Sequence, residues 1–197
     1  MTTKWIKPIE TFMFCFVTAS FFYWVPRLTN ICQVIEWDGE GDGVKFPGWC
    51  VVSQKKGTET FNGLASLFWN TEGGVIRAIM DNKINLLFIN QFLFVGVWYL
   101  FTITTYGTNV PAGLFLPGMI IGCALGMIYT SISVNFGFTD DTSVDYEALR
   151  KKYIVLGCAG FMAGYTRMTY SLGVILMETS QDLSLFVPMI FTIIISN

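Results

Sequence analysis

Residues 86–138 read LLFINQFLFVGVWYLFTITTYGTNVPAGLFLPGMIIGCALGMIYTSISVNFGF and contain no Asp, Glu, Lys or Arg. One crossing of a bilayer core takes about 20 apolar residues, so this stretch is too long for a single span. Its middle is Tyr106-Gly107-Thr108-Asn109-Val110-Pro111-Ala112-Gly113, a run of turn formers. The pattern predicts two membrane helices, over 86–105 and 113–136, separated by a break that is itself flanked by apolar sequence. Irregular backbone at membrane depth survives only where it is buried in protein or lines a watery cavity. The break is therefore the first pointer to function.

The rest of the chain agrees with lipid as the solvent. Of 197 residues, 53% are hydrophobic and only 13% charged, against about 25% charged in an ordinary soluble domain. The mean hydropathy is +0.54. A net charge of −2 gives no electrostatic footprint for nucleic acid. The chain has no His, which removes imidazole catalysis and His-ligated metal sites. Asp140, Asp141 and Asp145 lie in a loop with no His near them, so an enzyme is not expected, nor any cofactor.

Upstream, 11–28 reads as a membrane helix with Lys4 and Lys7 on its cytoplasmic side and Tyr23 and Trp24 as an interfacial anchor. It lacks the small-residue cleavage site of a signal peptide. Residues 29–60 read as a polar, glycine-rich loop. Cys32 and Cys50 lie in it, and the residues alone leave a disulfide and two free thiols equally open. Residues 61–80 are too short to span and suit two short helices. Downstream, 139–152 is dense in charge and reads as an aqueous loop, and 153–196 divides into three short helices. Gly157, Gly160, Ala163 and Gly164 there suit close helix packing in lipid.

The chemistry centres on Gly113-Leu114-Phe115-Leu116-Pro117. Gly113 has no side chain, so a ligand can approach its backbone. The first turn of a helix has unpaired N–H groups backed by the positive end of the helix dipole, which together favour an anion. Pro117 is tolerated there because its missing donor would have no partner. On the residues alone, a glycine at a helix start is more often a packing feature than a binding site.

Gly-Leu-Phe-Leu-Pro at 113–117 resembles the G-x-F-x-P signature of the CLC chloride channels and chloride/proton antiporters. The lead-in at 106–112 also resembles that family. So does Gly157-Cys158-Ala159-Gly160-Phe161-Met162-Ala163-Gly164-Tyr165-Thr166-Arg167-Met168-Thr169, continuing through Ser171-Leu172 to Met177-Glu178-Thr179. Residues 61–68 and the Cys32 and Cys50 pair are similar to the lysosomal and plant-vacuolar branch. The resemblance runs from about residue 5 to residue 196. It implies an all-α integral membrane domain of broken, tilted helices. What matches is most of the second of the family's two inverted halves, so the chain is expected to be incomplete at both ends. The signatures G-S-G-I-P and G-K-E-G-P, the second with the gating glutamate, occur nowhere in it. Met127 stands where the family usually has Arg.

The resemblance implies chloride as the ligand, held by backbone N–H groups of Leu114 and Phe115 with Gly113 permitting the approach and Pro117 supporting the motif. It implies a homodimer through 169–196, and an endosomal, lysosomal or vacuolar membrane. Arg167 and Glu178 read as structural charges, at a helix break and at an interface.

Overall fold

Pro8 and Pro26 both lie inside the first helix, α1 (Thr3–Thr29), where each removes a backbone donor. The computed structural model describes residues 3–29, 32–34, 60–80, 88–107, 113, 115–137, 144–180 and 183–197. After α1 come two short strands, β1 (Cys32–Val34) and β2 (Thr60–Asn62), paired antiparallel with Gln33 opposite Phe61. The remaining elements are helical: α2 (Gly63–Trp69), α3 (Glu72–Met80), α4 (Phe88–Gly107), α5 (Phe115–Asn135), α6 (Val144–Thr166), α7 (Tyr170–Ser180), a 3-10 turn (Leu183–Leu185) and α8 (Phe186–Ser196). The fold is all-α apart from that small ribbon.

Among the described residues, three helices are long and apolar enough to cross a membrane: Lys7–Thr29, Phe88–Gly107 and Phe115–Asn135. At 1.5 Å per residue, α5 is about 31 Å long, the thickness of a hydrocarbon core.

The packing is organised by glycine on α5. A β-carbon at Gly122 would stand 2.7 Å from the Cα of Cys158, and one at Gly126 would stand 2.6 Å from the Cα of Ile154. From the other side, a β-carbon at Gly157 would stand 2.8 Å from the Cα of Gly126. The two helices thus run antiparallel with their backbones touching. This is how helices associate in lipid, where burial of apolar surface gives little drive and close van der Waals contact must supply it. Gly160 and Gly164 turn another face of α6 toward α8. The Ser196 hydroxyl donates to the Gly160 carbonyl at 2.6 Å and stands 3.0 Å from where a Gly164 β-carbon would be.

Apolar side chains fill the space around this crossing. Ile120, Ala124 and Met127 of α5 meet Ile154, Cys158 and Met162 of α6, with Phe94 of α4 and Leu64 of α2 in the same core. A second, aromatic contact holds α1. Phe22 stacks on Phe68 at 5.1 Å and meets Phe101 edge-on at 5.5 Å. Between α4 and α5, the Ser131 hydroxyl donates to Gln91 Oε1 at 3.1 Å, and Asn90, Gln91 and Thr130 are buried beside it.

The structure changes three sequence boundaries. The charged stretch expected as an aqueous loop over 139–152 is helical from Val144 onward. Glu147 and Lys151 face outward while Arg150 is buried at 4% exposure, so the charged residues belong to a helix that begins before the apolar sequence does. As a result α6 has 23 residues and is not a short helix. The first helix begins at Thr3, well before residue 11, because helical backbone continues past the point where hydropathy falls. The stretch 29–60 contributes β1, and its partner β2 opens the stretch that was expected to be helical over 61–80.

Candidate functional site at the head of helix α5

Phe115 is the first helical residue of α5, and no acidic residue stands in its first turn. The positive end of this 21-residue helix therefore has no counter-charge in its own first turn. By helix geometry the N–H groups of Phe115 and Leu116 have no partner four residues back, and Pro117 contributes no donor to be satisfied. Phe115 and Leu116 are 39% and 44% exposed. Their side chains do not bury the helix start within this chain.

Gly113 is exposed and non-helical. A β-carbon there would meet nothing within 4 Å, and its φ is not in the left-handed region. Neither packing among the described residues nor backbone conformation calls for glycine at 113. Gly118 is the opposite case: it is buried, and a β-carbon on it would collide with the Tyr165 hydroxyl and stand 2.6 Å from Tyr165 Cε1. The Tyr165 ring, in contact with Phe161 at 5.8 Å, thus closes one side of the α5 head.

Among the described non-glycine residues Arg167 alone has a positive φ, 54°. It ends α6, with its N–H donating to the Ala163 carbonyl at 2.9 Å. Its side chain is exposed, as is that of Glu178 near the end of α7. No group of three or more Cys, Asp or Glu suited to a metal ion occurs among the described residues.

The predicted site residues are placed as follows. Gly113, Phe115 and Pro117 lie together at the head of α5. Leu114 and residues 108–112 of the break lie outside the described residues. Cys32 is in β1, and Cys50 lies outside the described residues. Sequence reasoning missed the glycine stripe of α5 and the Tyr165 contact. The four-residue spacing of Gly118, Gly122 and Gly126 is the signal that would have found the stripe; nothing in the sequence singles out Tyr165.

Residues 2–197 match the voltage gated chloride channel family. The chain is 30% identical to chloride channel protein CLC-d of Arabidopsis thaliana over 203 residues, covering 98% of this chain and 24% of that protein. It is 27% identical to H(+)/Cl(-) exchange transporter 7 of Homo sapiens over 189 residues, covering 95% of this chain and 22% of that one. With chloride channel protein CLC-a of Arabidopsis thaliana the identity is 30% over 139 residues, covering 70% and 17%. The chain thus spans about a quarter or less of the length of the curated relatives it matches. With a match across residues 2–197 and helices built to cross a membrane, the chain belongs to the voltage gated chloride channel family of membrane proteins.

Proposed function

We propose that this chain is part of a chloride-transporting membrane protein, a channel or a chloride/proton antiporter, and that it holds the anion on backbone N–H groups at residues 113–115. The observation that carries the reading is the pairing of Gly113 with the head of α5. An exposed glycine that neither packing among the described residues nor its φ calls for stands directly before a helix whose first turn has no acid. Oriented peptide dipoles bind a dehydrated anion without a full positive charge, so the ion can leave again. The family's transport activity supports chloride as that anion.

The same reading makes the protein a transporter and not an enzyme. It gives it a homodimer face on residues 169–196 and places it in an endosomal, lysosomal or vacuolar membrane. A cavity of about 330 Å³ between α7 and α8, lined by Gly173, Val174, Phe186 and Ile190 among others, lies on the proposed dimer face. Pairing of Cys32 with Cys50 belongs to the same proposal.

The test is anion flux through the full-length protein reconstituted in vesicles. Gly113→Leu places four carbons in the anion's approach and Phe115→Trp enlarges the rim. Loss of a charge-assisted backbone hydrogen bond is worth about 1.5–3 kcal/mol, so chloride flux falls at least about tenfold in the first variant. Wild-type flux and unchanged anion selectivity in both variants would overturn the site.

A further inference from the structure

The outer end of α1 carries a cluster that neither the core nor the anion site uses. Within the span Lys7–Thr29 Pro26 alone is buried, and away from its contacts with Phe68, Trp69 and Phe101 the helix leaves most of its apolar surface open. Arg27 is in its last turn. Its Nη1 donates to the Tyr23 hydroxyl at 2.9 Å, and its guanidinium carbon is 5.9 Å from the Tyr23 ring centre. The Tyr23 ring meets Trp24 at 6.0 Å and Trp69 at 6.5 Å, both edge-on. Both tryptophans are 55% exposed.

A cation in the last turn of a helix ordinarily serves the helix dipole and its free carbonyls. That role does not account for Arg27. Its side chain turns back one turn toward the span, onto Tyr23, and away from the helix end. The carbonyls of Val25 and Pro26 accept instead from the Thr29 hydroxyl, at 3.1 and 3.2 Å. Among the described residues no carboxylate pairs with Arg27. A guanidinium has five N–H donors in a planar fork suited to phosphate, and only one is engaged by Tyr23. Trp and Tyr rings settle at headgroup depth, which sets the level of this fork in the bilayer.

We propose that Arg27, Tyr23, Trp24 and Trp69 form a headgroup site for an anionic phospholipid, with the Arg27 fork on the phosphate and the three rings along the glycerol and upper acyl chain. The proposal is independent of the anion site on α5.

The test is native mass spectrometry of the purified full-length protein, equilibrated with equal phosphatidylglycerol and phosphatidylcholine of matched acyl chains. Wild-type protein retains phosphatidylglycerol in preference, and Arg27→Gln lowers that preference about fivefold, the effect of one basic residue at a membrane surface. Arg27→Lys keeps the charge without the fork and falls between the two. Tyr23→Phe, which leaves the charge in place and frees the fork from its anchor, lowers the preference less than Arg27→Gln. No preference in wild type, or an unchanged one in a well-folded Arg27→Gln protein, overturns the site. Loss of the retained lipid on adding millimolar inorganic phosphate would assign the fork to a free anion and likewise overturn the lipid reading.

Discussion

Gly122 and Cys158 face each other so closely that the Cα of Cys158 occupies the contact sphere of any β-carbon at 122, at 2.7 Å. The neighbour is backbone and not the flexible end of a side chain, so nothing can swing aside. The α5–α6 crossing, which holds the head of α5 in place, is therefore fixed by the absence of side chains. Gly122→Ala should destabilise by about 1–3 kcal/mol, the range for overpacking a tight core. Gly122→Leu should leave little monodisperse protein. Gly96, whose β-carbon would meet nothing within 4 Å, is the control: Gly96→Ala should be tolerated. Size-exclusion profiles and thermal midpoints of the three variants in detergent check this.

The carbonyl of Phe22 should bond to the N–H four residues on, but that residue is Pro26. The Trp69 indole N–H takes its place, donating to the Phe22 carbonyl at 3.2 Å. Trp69→Phe should then cost about 1 kcal/mol beyond any loss of packing. Pro26→Ala supplies the missing helix donor, so Trp69→Phe should cost less in that background. A double-mutant cycle on thermal stability should show a coupling of at least about 0.5 kcal/mol. Strict additivity would contradict the account.

The Ser131 hydroxyl is within bonding distance of both Gln91 Oε1 and the Met127 carbonyl, each at 3.1 Å. Hydrogen bonds between side chains of membrane helices average about 0.6 kcal/mol. Ser131→Ala should therefore cost less than about 1 kcal/mol. Gln91→Leu should cost more, because it also replaces a shaped polar side chain inside a buried contact. Thermal midpoints in detergent separate the two.

Much of this architecture was legible from charge and turn formers. The uncharged run 86–138 and its interruption at 106–113 announce α4, the break and α5. What was not legible depended on partners distant in sequence. The start of α6 hides in charged residues because Glu147 and Lys151 form an outer face while Arg150 turns inward. Residues 60–62 and 32–34 become strands only through each other, and neither three-residue segment declares a period alone. At the site, the motif 113–117 was plain from its residue types, whereas the Tyr165 wall depends on how α6 crosses α5.

The dimer proposal has its own test. Val187, Phe191 and Ile195 lie four residues apart on α8 and are 60%, 62% and 84% exposed, an apolar stripe. Phe191→Arg should shift the full-length protein from dimer to monomer in detergent, read by light scattering. Ile103→Arg, at an exposed position on α4, should leave the mass unchanged. An unshifted mass in Phe191→Arg would remove α8 from the interface.

The most direct test of the central claim is to locate the anion itself. Crystals of the full-length protein grown with bromide in place of chloride report the ion by its anomalous scattering. The account predicts a bromide peak at the head of α5, within about 3.5 Å of the Phe115 backbone nitrogen, and its loss in Gly113→Leu. Ordered bromide elsewhere in the membrane domain, with none at the head of α5, would contradict it.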